Sequence, residues 1–125
     1  MGPGNNTVVI ELGVTGGRTL MTIDGEFDIA SEPEFKRTAQ AALASGTREF
    51  IIDLEGVTYL DGRALAALLG FFKSVSQAGG SVRIVTSNAF HRRLFSITGI
   101  DRVITLYGSR AQAEAAGESA NRPGI

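Results

Sequence analysis

Glu49-Phe50-Ile51-Ile52-Asp53-Leu54 runs directly into Glu55-Gly56-Val57-Thr58-Tyr59-Leu60-Asp61 near the middle of the chain. The first six residues are almost continuously apolar. A strand with one wet face alternates apolar and polar side chains. A strand that does not alternate is covered on both faces, as in a parallel sheet flanked by helices. The stretch therefore predicts a central strand over Glu49–Leu54 of an α/β domain. Glu55 to Asp61 mixes acidic, glycine and polar positions and reads as the loop that leaves this strand.

Downstream of that loop, Arg63 to Ala78 reads as a helix. Leu65, Leu68, Leu69, Phe72 and Val75 recur at helical spacing and form one apolar stripe. Gly79-Gly80 ends it. Ser81 to Val85 is a further strand. Asn88 to Ile97 is a helix, capped by Ser87 or Asn88 and closed by Gly99. Val103 to Leu106 predicts a last short strand, and Arg110 to Ala116 a short terminal helix. Residues 117–125 read as a frayed tail.

Upstream, Thr7 to Val14 is apolar and β-branched, which predicts a strand. Thr15-Gly16-Gly17-Arg18 is a turn signal, since glycine accepts positive φ without steric cost. Thr19 to Ile23 alternates as a second strand and completes a hairpin. Asp24-Gly25-Glu26 interrupts it, and Phe27 restarts the apolar pattern. Ser31 is placed to cap a helix, with Pro33 in its first turn and Glu34 three residues on, a capping-box spacing. That helix should run to about Ala44 and stop at Ser45-Gly46. Residues 1–6 read as a flexible lead-in, in part an expression remnant, so the domain should span residues 7–116. The order, two strands and then helices alternating with strands, predicts an α/β fold. Its mixed sheet should hold four to five strands flanked by about four helices, opening with a β-hairpin. Crossovers between its parallel strands should be right-handed.

The totals narrow the function. A chain of 125 residues with 43% hydrophobic and 20% charged positions suits one globular domain. A net charge of −1 gives no electrostatic case for nucleic acid. The absence of cysteine excludes disulfides, thiol nucleophiles and thiolate metal sites, and one histidine excludes a multi-histidine cage. No apolar run approaches a membrane span. No paired-acid, triad or metal-ligand constellation suggests catalysis. Gly13-Val14-Thr15-Gly16-Gly17 lacks the Lys-Ser/Thr ending of a phosphate-binding loop. The reading is a cytoplasmic, non-enzymatic domain without cofactor or metal.

Several segments resemble the STAS family, in the family's order. Gly25-Glu26-Phe27-Asp28 resembles its G-E-L-D motif. Ile52-Asp53-Leu54-Glu55-Gly56-Val57-Thr58-Tyr59-Leu60-Asp61 resembles its D-L-S-x-V-x-F-I-D. Gly79-Gly80-Ser81-Val82-Arg83-Ile84 matches the G-G-x-L-x-L joint, and Arg92-Arg93-Leu94-Phe95-Ser96-Ile97-Thr98-Gly99-Ile100 resembles R-x-L-x-x-x-G-L. The match covers roughly residues 7 to 116. The resemblance implies a regulatory module of the anti-sigma factor antagonist (anti-anti-sigma factor) type. Such modules bind an anti-sigma factor, or a related serine kinase, through the loop before the second helix and that helix's surface, and so free a sigma factor. The kinase switches them off by phosphorylating a hydroxyl directly after the loop aspartate.

Here the family's D-S-[ST]-G-L is Asp61-Gly62-Arg63-Ala64-Leu65. The phosphosite position is Gly62, which has no hydroxyl, so the resemblance implies a binder without the usual switch. The alternative is a non-switching scaffold or adaptor subunit of a stress-signalling or lipid-transport assembly. The candidate partner-binding residues are Asp28, Ser31, Tyr59, Asp61, Gly62, Arg63, Ala66 and Gly70. Each has a plainer reading beside it. Asp61 is an N-cap, Asp28 an Asx turn, Ser31 a cap, and Gly62 either an ordinary first-turn residue or a backbone angle that other residues resist. Thr58 is a second hydroxyl in the loop, at a strand exit. Arg63, Ala66, Gly70, Lys73 and Ser74 fall opposite the apolar stripe. The small residues at 66 and 70 leave room for another surface, and Gly70 costs a helix about 1 kcal/mol relative to alanine. His91, beside Arg92 and Arg93, reads as a solvated helix residue.

Overall fold

The computed structural model describes residues 8–116. The lead-in expected over residues 1–6, Thr7 and the tail over 117–125 lie outside these. β1 (Val9–Thr15) and β2 (Arg18–Phe27) form the opening hairpin. The turn between them is Gly16-Gly17, with φ of 57° and 81°. Two successive positive φ values define the turn whose twist matches the flanking strands, which is why glycine fills both positions. There follow α1 (Glu32–Ala44), β3 (Glu49–Leu60), α2 (Gly62–Gln77), β4 (Ser81–Val85), α3 (Ala89–Thr98), a 3-10 turn over Ile100–Arg102, β5 (Thr105–Tyr107) and α4 (Arg110–Ala115). The sheet order is β1-β2-β3-β4-β5. β1 runs antiparallel to β2, and the other neighbours are parallel.

That order places the layers. Each parallel connection steps the same way across the sheet. Right-handed crossovers that step one way put all their helices on one face. The core follows: Met21, Ile23, Phe50, Ile52, Leu54, Val82 and Ile84 from the sheet meet Phe35 and Ala39 of α1, Leu65, Leu68 and Phe71 of α2, and Phe95 of α3. Phe35 and Phe71 meet edge to face with centroids 5.9 Å apart, and Phe50 and Phe71 at 4.9 Å. The opposite face carries a smaller cluster in which Ile51 and Val85 pack against Ala113 of α4.

Both central strands outrun their sequence-based bounds. β2 continues through Asp24-Gly25-Glu26 to Phe27, and β3 continues through the expected loop to Leu60. The register explains the difference. Thr22 faces Asp53 and Asp24 faces Gly56; then Gly25 faces Val57 and Glu26 faces Tyr59. Each step inserts one extra residue in β3, so the ladder carries two bulges. The buried positions Leu54, Val57 and Leu60 are spaced by three instead of two. Strict alternation is lost, and with it the strand signal.

Three smaller corrections follow. β5 begins at Thr105 instead of Val103, because Ile100–Arg102 takes a 3-10 turn first. α1 lacks the expected capping box: Ser31 is nearly helical, at φ −96° and ψ −7°, and its hydroxyl makes no cap bond. His91 is 3% exposed. One turn before Phe95, it lies on the buried stripe of α3 and is not solvated.

Candidate functional site

The carboxyl ends of β2 and β3 and the starts of α1 and α2 form one end of the molecule. In open α/β sheets this end, where strands hand over to helices, is where ligands and partners are met. Phe27 faces Leu60 in the last rung of the β2–β3 ladder, so Asp28 and Asp61 leave the sheet from adjacent strands.

The Asp28–Ser31 loop is locked by its own hydrogen bonds. Asp28 Oδ1 accepts from the Ala30 amide at 3.0 Å and from the Ser31 amide at 3.3 Å, an Asx turn. Ser31 Oγ accepts from the Asp28 amide at 2.8 Å and donates to the Glu26 carbonyl at 3.0 Å. Ser31 is buried, and its hydroxyl is engaged as both donor and acceptor. It holds the loop against the end of β2 and presents little to a partner or a kinase. Ile29, between these residues, is 58% exposed.

On the neighbouring strand, Asp61 caps α2, its Oδ1 accepting from the Ala64 amide at 3.0 Å. Gly62 is the first residue of α2 and is exposed. Its φ is not positive, and a Cβ added there meets nothing within 4 Å. The reading of Gly62 as an obligatory backbone angle is thereby corrected. Arg63 Nε lies 3.6 Å from Glu32 of α1, and Glu32 also receives Lys36 Nζ at 3.3 Å. The Arg63–Glu32 pair ties the starts of the two helices together and leaves the Arg63 guanidinium largely in solvent, while Lys36–Glu32 lies within α1. Tyr59 is 51% exposed at the strand exit, and Thr58, on a bulge of β3, is also exposed.

Ala66 and Gly70 line a cleft of ≈ 290 Å³ between α1 and α2. Phe35, Ala39 and Phe71 make its floor, and Glu32, Lys36 and Gln40 rise from α1 on its other side. The cleft exists because positions 66 and 70 carry almost no side chain, and a Cβ on Gly70 meets nothing within 4 Å. The structure thus gathers Tyr59, Asp61, Gly62, Arg63, Ala66 and Gly70 along β3 and α2, with Asp28 on the adjoining loop. Ser31 is drawn inward. Sequence reasoning missed Ile29 and the α1 contributors Glu32, Lys36 and Gln40. The signal for the last three was helical spacing at 32, 36 and 40, which marks one side of α1 but does not say that α2 lies opposite.

The family model described as STAS domain matches residues 9–113. The anti-sigma-B factor antagonist of Bacillus subtilis (strain 168) is 34% identical over 86 residues, covering 69% of this chain and 78% of that protein. The protein of the same description from Staphylococcus aureus (strain NCTC 8325) is 31% identical over 78 residues, 62% of this chain and 72% of that one. The crystal structure of an anti-sigma factor antagonist from Mycobacterium paratuberculosis superposes with a TM-score of 0.80 at 22% identity, over 86% of this chain and 92% of that one. No helix among the described residues is long and apolar enough to cross a membrane. With its hairpin-led sheet, its first three helices on one face and a family match over nearly all described residues, the chain belongs to the STAS domain family, of the anti-sigma factor antagonist type.

Proposed function

We propose that this protein binds an anti-sigma factor, or a related serine kinase, through the end formed by Tyr59–Arg63 and the α1–α2 cleft, and that it does so without the phosphorylation switch at the loop. The observation that carries the reading is Gly62. The position after the capping aspartate is exposed and sterically open, with an ordinary backbone, yet lacks a hydroxyl. Geometry therefore does not demand glycine there. The buried, doubly bonded Ser31 hydroxyl is a poor substitute acceptor. The remaining serine or threonine hydroxyl near this end is that of Thr58, exposed on β3.

The test is calorimetric titration of the cognate anti-sigma factor with wild type, Gly62→Ser, Gly62→Asp and Ala66→Arg, with melting temperatures alongside. The three variants should fold, because positions 62 and 66 are both exposed and aspartate suits the positive end of a helix. Gly62→Ser should bind like wild type and become a kinase substrate. Gly62→Asp should weaken binding tenfold or more, about 1.4 kcal/mol. Ala66→Arg should block binding by filling the cleft. Equal affinity across all four would remove this face from the interface. Phosphate on Thr58 of the wild type would show that the switch has moved.

A further inference from the structure

The two edges of the sheet are unlike. β5 is three residues long, Thr105–Tyr107, too short to template another strand. β1 is seven residues long, Val9–Thr15, and among the described residues it pairs with β2 alone. Its register against β2 is unbroken from Val9 to Thr15, so no bulge twists the edge away. It contains no proline, and one charged residue, Glu11. Val9, Leu12 and Val14 are 47%, 50% and 80% exposed. Edge strands are usually blunted by shortness, charge, proline or bulges, and β1 has little of this protection.

We propose that β1 is a self-association edge, at which two copies of this chain pair their β1 strands antiparallel about Leu12 and join two five-stranded sheets into one. The strand's own sequence selects this partner and this register. A two-fold axis normal to the sheet keeps each face continuous, so residues of like parity must meet. Centring on Glu11 would set two carboxylates face to face. Centring on Leu12 sets Leu12 against Leu12, Ile10 against Val14, Val9 against Thr15, and Glu11 against Gly13. No pair then sets like charges together, and all seven residues of the strand are used. Ile10, Leu12 and Val14 lie on the face of Ile23 and Met21, opposite Ile23, Met21 and Thr19 in the ladder. The pairing therefore extends the main core across the axis. Both α1–α2 clefts would open on the same side of the joined sheet, giving a bivalent surface.

The chain has no cysteine, so engineered thiols report this contact cleanly. In sedimentation equilibrium of the full chain, the mass should rise with concentration from 13.2 kDa toward twice that value. Leu12→Lys, which opposes two ammonium groups at the axis, should hold it at the monomer mass with an unchanged fold. Should that variant misfold, the thiol pair decides. Under mild oxidation Leu12→Cys should crosslink to a dimer, because antiparallel partners fall within disulfide reach. Val14→Cys should not, because its partner is Ile10. A wild type that stays monomeric to millimolar concentration overturns the proposal, and leaves the edge to a strand of another protein. Equal crosslinking at both positions overturns the register.

Discussion

Gly62 and Asp61 are neighbours whose roles were unequally legible. An N-cap is a local matter: an aspartate before a helical stripe finds its amide three residues on, wherever the helix packs. What a glycine is for depends on its φ and on what surrounds it, and neither is written in the sequence. His91 shows the same divide. Its arginine neighbours suggest a wet face, but position 91 falls one turn from Phe95 on the buried side of α3. Burial holds the imidazole below its ordinary value of 6.5. Above that pH it is neutral in both the folded and unfolded chains and contributes no pH dependence. Below it, the unfolded chain takes up a proton that the folded chain resists, so stability is lost as pH falls from about 6.5 toward the lowered folded value. We expect the melting temperature to drop between about pH 7 and 5, above the usual carboxylate range, and His91→Leu to flatten that slope. A wild-type melting temperature that does not move in this window would mean the imidazole protonates as readily folded as unfolded.

At the scale of elements, helices were read more accurately than the central strands. The helical stripe of α2 survives because its period is set within the element. β3 keeps its strand geometry through two bulges that only β2 makes meaningful, and its apolar spacing then imitates a loop. Gly79-Gly80 illustrates a stop signal with two separate causes. Gly79 has φ of 87°, the left-handed value that ends a helix. Gly80 has an ordinary backbone, but a Cβ there would lie 2.1 Å from the Arg48 carbonyl oxygen and 2.8 Å from Val75 Cγ1. It is the close approach of α2's end to the start of β3 that requires glycine. Gly80→Ala should therefore cost about 1–3 kcal/mol through overpacking. Gly70→Ala, which enters open space, should be neutral or stabilising, since alanine is the better helix former. Chemical denaturation of the two variants measures the contrast, and equal midpoints would refute it.

Over the whole molecule, the handed crossovers place α1, α2 and α3 on one face and leave the other to α4. That short helix is held by side chains from distant strands. Arg110 Nε donates to Asp53 of β3, which pushes the Arg110 guanidinium further above its ordinary value. The buried Arg83 of β4 donates to the Ala113 carbonyl at 3.0 Å. Ala113 itself is fully buried against Ile51 and Val85. Ala113→Asp would force a carboxylate into that contact and should destabilise the whole domain by about 3 kcal/mol or more, a loss of roughly 10 °C in melting temperature. A smaller change with α4 released would show that the second face is not part of the cooperative unit. The sequence by itself determined the element order, the hairpin turn, the α/β class and the missing hydroxyl at Gly62. These depend on residue identity, on periodicity within a segment, or on glycine's φ. The tertiary structure alone decided the bulged extension of β3, the inward turn of Ser31, the burial of His91 and the α1–α2 cleft. Each of these depends on which segments lie side by side, and no periodicity within a single segment encodes its neighbour.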